Sequence, residues 1–208
     1  MLGYAGYIVV EANAYQAAER LRFERARADA VVASAGAVLV PAAAPDDGIA
    51  IGEILIPRLG LSAMVVQGES PAILRHAVGH LADTALPGEI GNVVLAGHRD
   101  TFFRPLKGVR AGDAITLRTL KGDHEYLVES TAVVAPTAVD VLDPTGGRTL
   151  TLITCFPFSY VGAAPNRFIV RAHETEGRSL STSSRRNVTP SSAAATGAAC
   201  CATLSPHR

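Results

Sequence analysis

The spacing of apolar residues changes along the chain. Residues 11–33 contain neither Pro nor Gly, and Ala, Arg, Glu and Leu dominate. Summed propensity predicts a helix there. Its charges alternate, with Arg20, Arg22, Arg25 and Arg27 set among Glu19, Glu24 and Asp29, the pattern of a solvated helix face carrying local ion pairs. Residues 34–48, rich in Ala, Pro, Asp and Gly, read as a linker. From Ile49 the apolar residues fall into short runs. One covers 49–56 and stops at Pro57, and a second covers 61–67. Ser70-Pro71 predicts a helix start, with Ser as cap and Pro in the first turn. A buried-type strand follows over 92–97, and one helical turn over 101–107 closes at Gly108. Two β-rich runs, 114–120 and 124–135, are split by Lys121-Gly122-Asp123, a hairpin signal. After a loop over 136–144 come the last strands, 148–155 and 167–173. About eight short strands with few helices predict an all-β domain, a small closed or nearly closed barrel preceded by the N-terminal helix. Beyond Glu174 the composition collapses into Ser, Thr, Ala and Arg. Residues 175–208 cannot bury enough surface to offset their ordering entropy and read as a disordered tail.

Composition narrows the function. The 208 residues are 48% hydrophobic, enough for one sizeable core, and Lys plus Arg balance Asp plus Glu at 19 each. No field of one sign attracts nucleic acid. Of the three cysteines, Cys200 and Cys201 lie in the polar tail, so there is no disulfide framework. Cys155 is the only thiol in patterned sequence. At the N-terminus, the apolar residues 2–10 are too few to span a bilayer core, which takes roughly 20. They read as the outer end of a membrane anchor.

The chemistry gathers at three strand ends. Thr151-Leu152-Ile153-Thr154-Cys155 is an apolar strand ending in a thiol. Such a cysteine is most often a small buried hydrophobe. Here Pro157 ends the strand two residues on, which sets the thiol where strand becomes loop. His98 follows Leu95-Ala96-Gly97, and Arg167 opens the strand Arg167-Phe168-Ile169-Val170. A thiol, an imidazole and a guanidinium can attack an amide, protonate the departing amine and steady the oxyanion. His80 is the rival histidine, read as a loop or structural residue. His76, His124 and His207 read as solvent-exposed, and His173 closes a strand. No His or Cys spacing matches zinc, and Glu125, Glu129 and Asp140 lack calcium-ligand spacing. No metal and no cofactor is assigned.

These segments resemble the signature strands of sortases: Thr-Leu-Ile-Thr-Cys at 151–155, Leu-Ala-Gly-His at 95–98 and Arg-Phe-Ile-Val at 167–170. Cys155-Phe156-Pro157-Phe158, together with Ala96 through Phe103, is similar to the class D subgroup. The resemblance covers residues 49–174. It implies an eight-stranded sortase barrel on an N-terminal membrane anchor, facing outward from the cytoplasmic membrane. It also implies a cysteine transpeptidase with His98, Cys155 and Arg167 as catalytic residues. Its substrates would be surface proteins with a C-terminal Leu-Pro-x-Thr-(Gly/Ala) signal, cut after Thr. The acceptor would be an amine, either a peptidoglycan stem peptide or a protein lysine. A papain-like enzyme would place its cysteine ahead of its histidine, the reverse of the order here. The L,D-transpeptidases carry Ser-x-Gly-Cys, whereas Leu152-Ile153-Thr154 precedes this cysteine. A catalytically silent, membrane-tethered barrel that binds a surface peptide is the competing class. Residues 49–174 are expected to fold and act without their flanks.

Overall fold

Period-two alternation builds the barrel. In the computed structural model, which describes residues 2–33, 45–159 and 162–175, eight strands follow the long helix α1 (Leu2–Ala33). They are β1 (Ala50–Ile56), β2 (Leu61–Gln67), β3 (Val78–His80), β4 (Gly91–Ala96), β5 (Ala114–Thr119), β6 (Gly122–Val134), β7 (Arg148–Phe156) and β8 (Asn166–Glu174). A short helix α2 (Pro71–His76) joins β2 to β3. The sheet closes in the order β1-β2-β3-β4-β7-β8-β6-β5, so no edge is left open. Pairing is antiparallel except for β2 with β3 and β4 with β7, which run parallel. Every second residue points inward: Ile54 and Ile56, Val93 and Leu95, Ile115 and Leu117, Leu150 and Leu152, and Val170 and Ala172 all belong to one buried core.

Several sequence expectations shift. The helix is continuous from Leu2, well before residue 11. Ser70 caps α2 as expected, its Oγ accepting from the Ile73 amide at 3.3 Å. The hairpin turns one residue early, at Leu120 and Lys121, because Thr119 already pairs with Gly122. His80 is not in a loop. It ends β3, a strand of three residues that is too short to show a period. His76 and His124 are part-buried rather than exposed. The His76 ring lies 5.5 Å from that of Tyr15, and His124 Nδ1 pairs with Glu174 at 2.7 Å. His207, Cys200 and Cys201 lie outside the described residues, as does nearly all of the tail and of the linker.

The helix is not merely solvated. Ala12, Gln16 and Phe23 are buried on one face of α1, and that face covers the outside of β1 and β2. There Met64 and Val66 are fully buried although they point away from the barrel interior. Gln16 fills the gap left by the short β3: its Oε1 accepts from the Met64 amide at 2.7 Å and its Nε2 donates to the His76 carbonyl at 2.8 Å. Two backbone groups that the sheet leaves unpaired are thereby satisfied. Glu53, 2% exposed, is the polar centre of the contact. It accepts from Arg20 Nε at 2.8 Å, Ser62 Oγ at 2.8 Å and Arg118 Nη1 at 2.9 Å. Arg118 also pairs with Glu24, and Arg27 with Asp123. Among the described residues no helix is long and apolar enough to cross a membrane.

Candidate active site

Strand register brings the three candidate groups to one rim. In the antiparallel β7–β8 pair, Cys155 lies directly opposite Arg167, and Ile153 opposite Ile169. In the parallel β4–β7 pair, Ala96 lies beside Ile153. Two hydrogen bonds carry that pairing past the strand end: the Gly97 amide donates to the Ile153 carbonyl at 3.1 Å, and Thr154 Oγ1 donates to the Gly97 carbonyl at 2.7 Å. Continued by two residues, the register sets His98 beside Cys155. Ala96, Ile153 and Ile169 therefore share a barrel face with His98, Cys155 and Arg167.

Those three residues, with Arg99, Asp100, Gly162, Ala163 and Ala164, line a cleft of about 350 Å³. His98 is exposed, while Cys155 and Arg167 are half-buried. Arg167 is braced through Nη1, which donates to the Asn166 carbonyl at 3.1 Å and the Ala164 carbonyl at 3.3 Å. An apolar groove of about 220 Å³ meets the cleft at Arg167. Ala96, Ile153 and Ile169 line it together with Leu81, Val134, Pro136 and Leu142. Phe156, Phe158 and Phe168 pack together close by, the last two with ring centres 5.3 Å apart. Phe158 and Phe168 also rest on the core, anchoring the ends of the strands that carry the thiol and the guanidinium.

Gly97 is required by a close approach. A Cβ there would sit 2.8 Å from the ring of Phe103, which is fully buried beneath the loop after His98. Arg99 is the residue that sequence reasoning passed over. It is 6% exposed, and its guanidinium donates to the carbonyls of Pro157 and Gly162, each at 3.0 Å. It ties two points of the β7–β8 connection, its start at Pro157 and Gly162 within it, to the loop of His98. An arginine next to a candidate histidine reads as part of a polar loop, and its burial depends on a segment almost 60 residues away.

His80 lies elsewhere, packed within the barrel wall. It is fully buried. Its Nε2 lies 2.9 Å from the Ala85 carbonyl, and its Nδ1 lies 2.9 Å from Gln67 Oε1. Burial pushes this imidazole below the ordinary histidine range, which favours the neutral ring. Among the described residues no three His, Cys, Asp or Glu side chains are grouped to hold a metal ion.

Residues 54–175 match the sortase domain family. The chain is 36% identical over 127 residues to Sortase D of Bacillus subtilis (strain 168), a match covering 61% of this chain and 64% of that protein. It is 34% identical over 122 residues to Sortase A of Listeria monocytogenes, covering 57% of this chain and 54% of that protein. The chain thus spans less than two thirds of the length of these curated relatives. Among solved structures, a Clostridium perfringens sortase D5 transpeptidase shares the fold, with a TM-score of 0.65 at 24% identity over 78% of this chain and 99% of that one. A lid mutant of sortase A from Corynebacterium diphtheriae aligns with a TM-score of 0.58 at 30% identity, over 63% of this chain and 73% of that one.

Proposed function

This chain belongs to the sortase family and is class D-like, and on that premise we propose that it is a cysteine transpeptidase with Cys155, His98 and Arg167 as its catalytic residues. The observation that carries the reading is the shared cleft of His98, Cys155 and Arg167 at the end of an apolar groove.

The chemistry follows from the group types. Cys155 as thiolate attacks the carbonyl of the residue at the cleft, and the negative charge moves to the carbonyl oxygen. Arg167, one strand across, offers a planar fork of donors to that oxygen or to the substrate backbone. His98 as imidazolium protonates the departing amine, so the C–N bond breaks and a thioester remains on Cys155. An amine then attacks the thioester carbon and gives its proton to the now neutral His98. The C–S bond breaks, and an amide is formed.

The groove supports the sorting-signal reading. A Leu-Pro pair suits an aliphatic trough lined by Leu81, Val134, Ile153 and Ile169, and the following x-Thr segment would bring its carbonyl to Cys155. Substrates are surface proteins ending in a Leu-Pro-x-Thr-(Gly/Ala) signal, and the acceptor is an amine of the cell surface. The enzyme acts on the outer side of the cytoplasmic membrane, and the apolar residues 2–10 at the start of α1 help to hold it there.

Cleavage of a quenched fluorescent signal peptide tests the reading. Wild-type protein is expected to cleave it after Thr, and Cys155→Ala and His98→Ala are expected to be inactive. Folded wild-type protein without cleavage, inert to thiol alkylation in every assay, would leave the silent peptide-binding barrel as the better account.

A further inference from the structure

The transfer step needs two substrates at one thiol. The apolar groove meets the cleft at Arg167, and Asp100, two residues beyond His98, stands at another border of the cleft. There, a separate groove of about 440 Å³ runs between α1 and the segment that follows His98, within the range of small-ligand sites, about 300–1,000 Å³. Asn13 and Ala17 of α1 line one wall, and Thr101, Phe102 and Pro105 line the other. Asp100 lines both this groove and the cleft of Cys155 and His98, so the two adjoin there.

The charges in the groove favour a cation. Among the described residues lining it, Arg20 is the one basic side chain, and it is committed to Glu53 and Ser62. The Asp100 carboxylate is 70% exposed, with Arg99 Nε 3.6 Å away, and it stands at the junction with the cleft. We propose that this groove is the seat of the amine acceptor: a peptide lies along α1 and presents a primary ammonium past Asp100 to the thioester on Cys155. The inference rests on the transpeptidase reading above. The carboxylate gathers the acceptor in its stable protonated form. The ammonium then loses a proton to solvent, and the free amine attacks the thioester carbon. His98, on the same side, takes the second proton as the C–S bond breaks, which restores the imidazolium and the Cys155 thiolate. The entry route from the α1 side places amine and imidazole together.

The test separates the seat from the chemistry. Ala17 is exposed and does not line the cleft, so Ala17→Trp fills the groove from the helix. The enzyme is acylated with a signal peptide and then offered a peptide amine, hydroxylamine or water. Hydroxylamine is small enough to reach the thioester without occupying the groove. In Ala17→Trp the ratio of peptide transfer to hydrolysis is expected to fall by about tenfold or more, equivalent to about 1.4 kcal/mol of acceptor binding, while release by hydroxylamine is unchanged. An unchanged ratio, or equal loss with both nucleophiles, would overturn the proposal. If Ala17→Trp fails to fold, Asn13→Trp, one turn earlier on the same wall, carries the same expectations. Absence of any thioester in the wild-type protein would instead refute the transpeptidase reading, a separate outcome.

Discussion

Replacing Glu53 by Ala should cost the full-length protein a measurable part of its stability, and the cost can be worked from its contacts. The carboxylate side chain is 3% exposed and is held by Arg20 and Arg118, whose side chains are 39% and 27% exposed. Breaking a wholly buried pair costs about 3–5 kcal/mol because the remaining charge is stranded. A fully exposed pair contributes about 0–1 kcal/mol. Here the arginines can partly rehydrate, and Arg118 keeps Glu24 at 2.9 Å. The cost therefore falls between the limits, at about 2–3 kcal/mol. For a domain of this size each kcal/mol moves Tm by about 2–4 °C, so thermal unfolding followed by circular dichroism should shift down by about 4–12 °C. A double-mutant cycle with Arg20→Ala should return a coupling of about 1–2 kcal/mol. Trypsin should also cut α1 at Arg20, Arg22, Arg25 and Arg27 sooner, because the helix is released from β1 and β2. A Tm within about 1 °C of wild type, with no coupling to Arg20, would refute the idea that this carboxylate clamps the helix to the barrel.

Other expectations follow from the same geometry. Arg167→Lys keeps the charge but loses the planar fork, and turnover should fall by about 10²–10³; near-wild-type kcat would show that diffuse charge suffices. Arg99→Ala removes two charge-assisted hydrogen bonds, at about 1.5–3 kcal/mol each. It should lower both Tm and kcat, and hydrogen exchange should show loosening around Pro157 and Gly162. Gly97→Ala forces a methyl against the Phe103 ring and should cost about 1–3 kcal/mol, read from urea unfolding. Burial holds the His80 imidazole below the ordinary range, so the folded state binds fewer protons there than the unfolded chain. Its stability is complete above about pH 6.5 and declines as pH falls below that value, and His80→Asn should flatten that slope in a pH series of unfolding curves. Trimming the protein to 49–174 removes Gln16 from the Met64 amide and Arg20 from Glu53 and should lower Tm relative to the full chain.

Much of this structure was legible as pattern. The short apolar and β-rich runs at 92–97, 114–120 and 148–155 marked strands directly, because they are bounded by turn residues and too short for helices. The three rim residues were legible because each ends or begins an apolar run. Other features depend on partners distant in sequence. The docking face of α1 consists of Ala12, Gln16, Arg20, Phe23 and Arg27, mostly polar or small, so apolar periodicity was silent about it. Its contacts are made through Gln16 to Met64 and Arg20 to Glu53, more than 30 residues apart. The three residues of β3 carried no period, which is why His80 read as a loop or structural residue and not as the end of a strand. The burial of Arg99 needs the β7–β8 connection to fold over it.

Intact-mass analysis of the acyl-enzyme tests the central claim most directly. The full-length protein is mixed with a Leu-Pro-x-Thr-Gly peptide, quenched in acid within seconds, and digested to locate the adduct. The account predicts a mass increase equal to the peptide segment ending at Thr less one water, carried by Cys155 as a hydroxylamine-labile thioester and absent from Cys155→Ala. A folded protein that cleaves the peptide with no adduct on Cys155, or a Cys155→Ala protein that still cleaves it, would contradict the account.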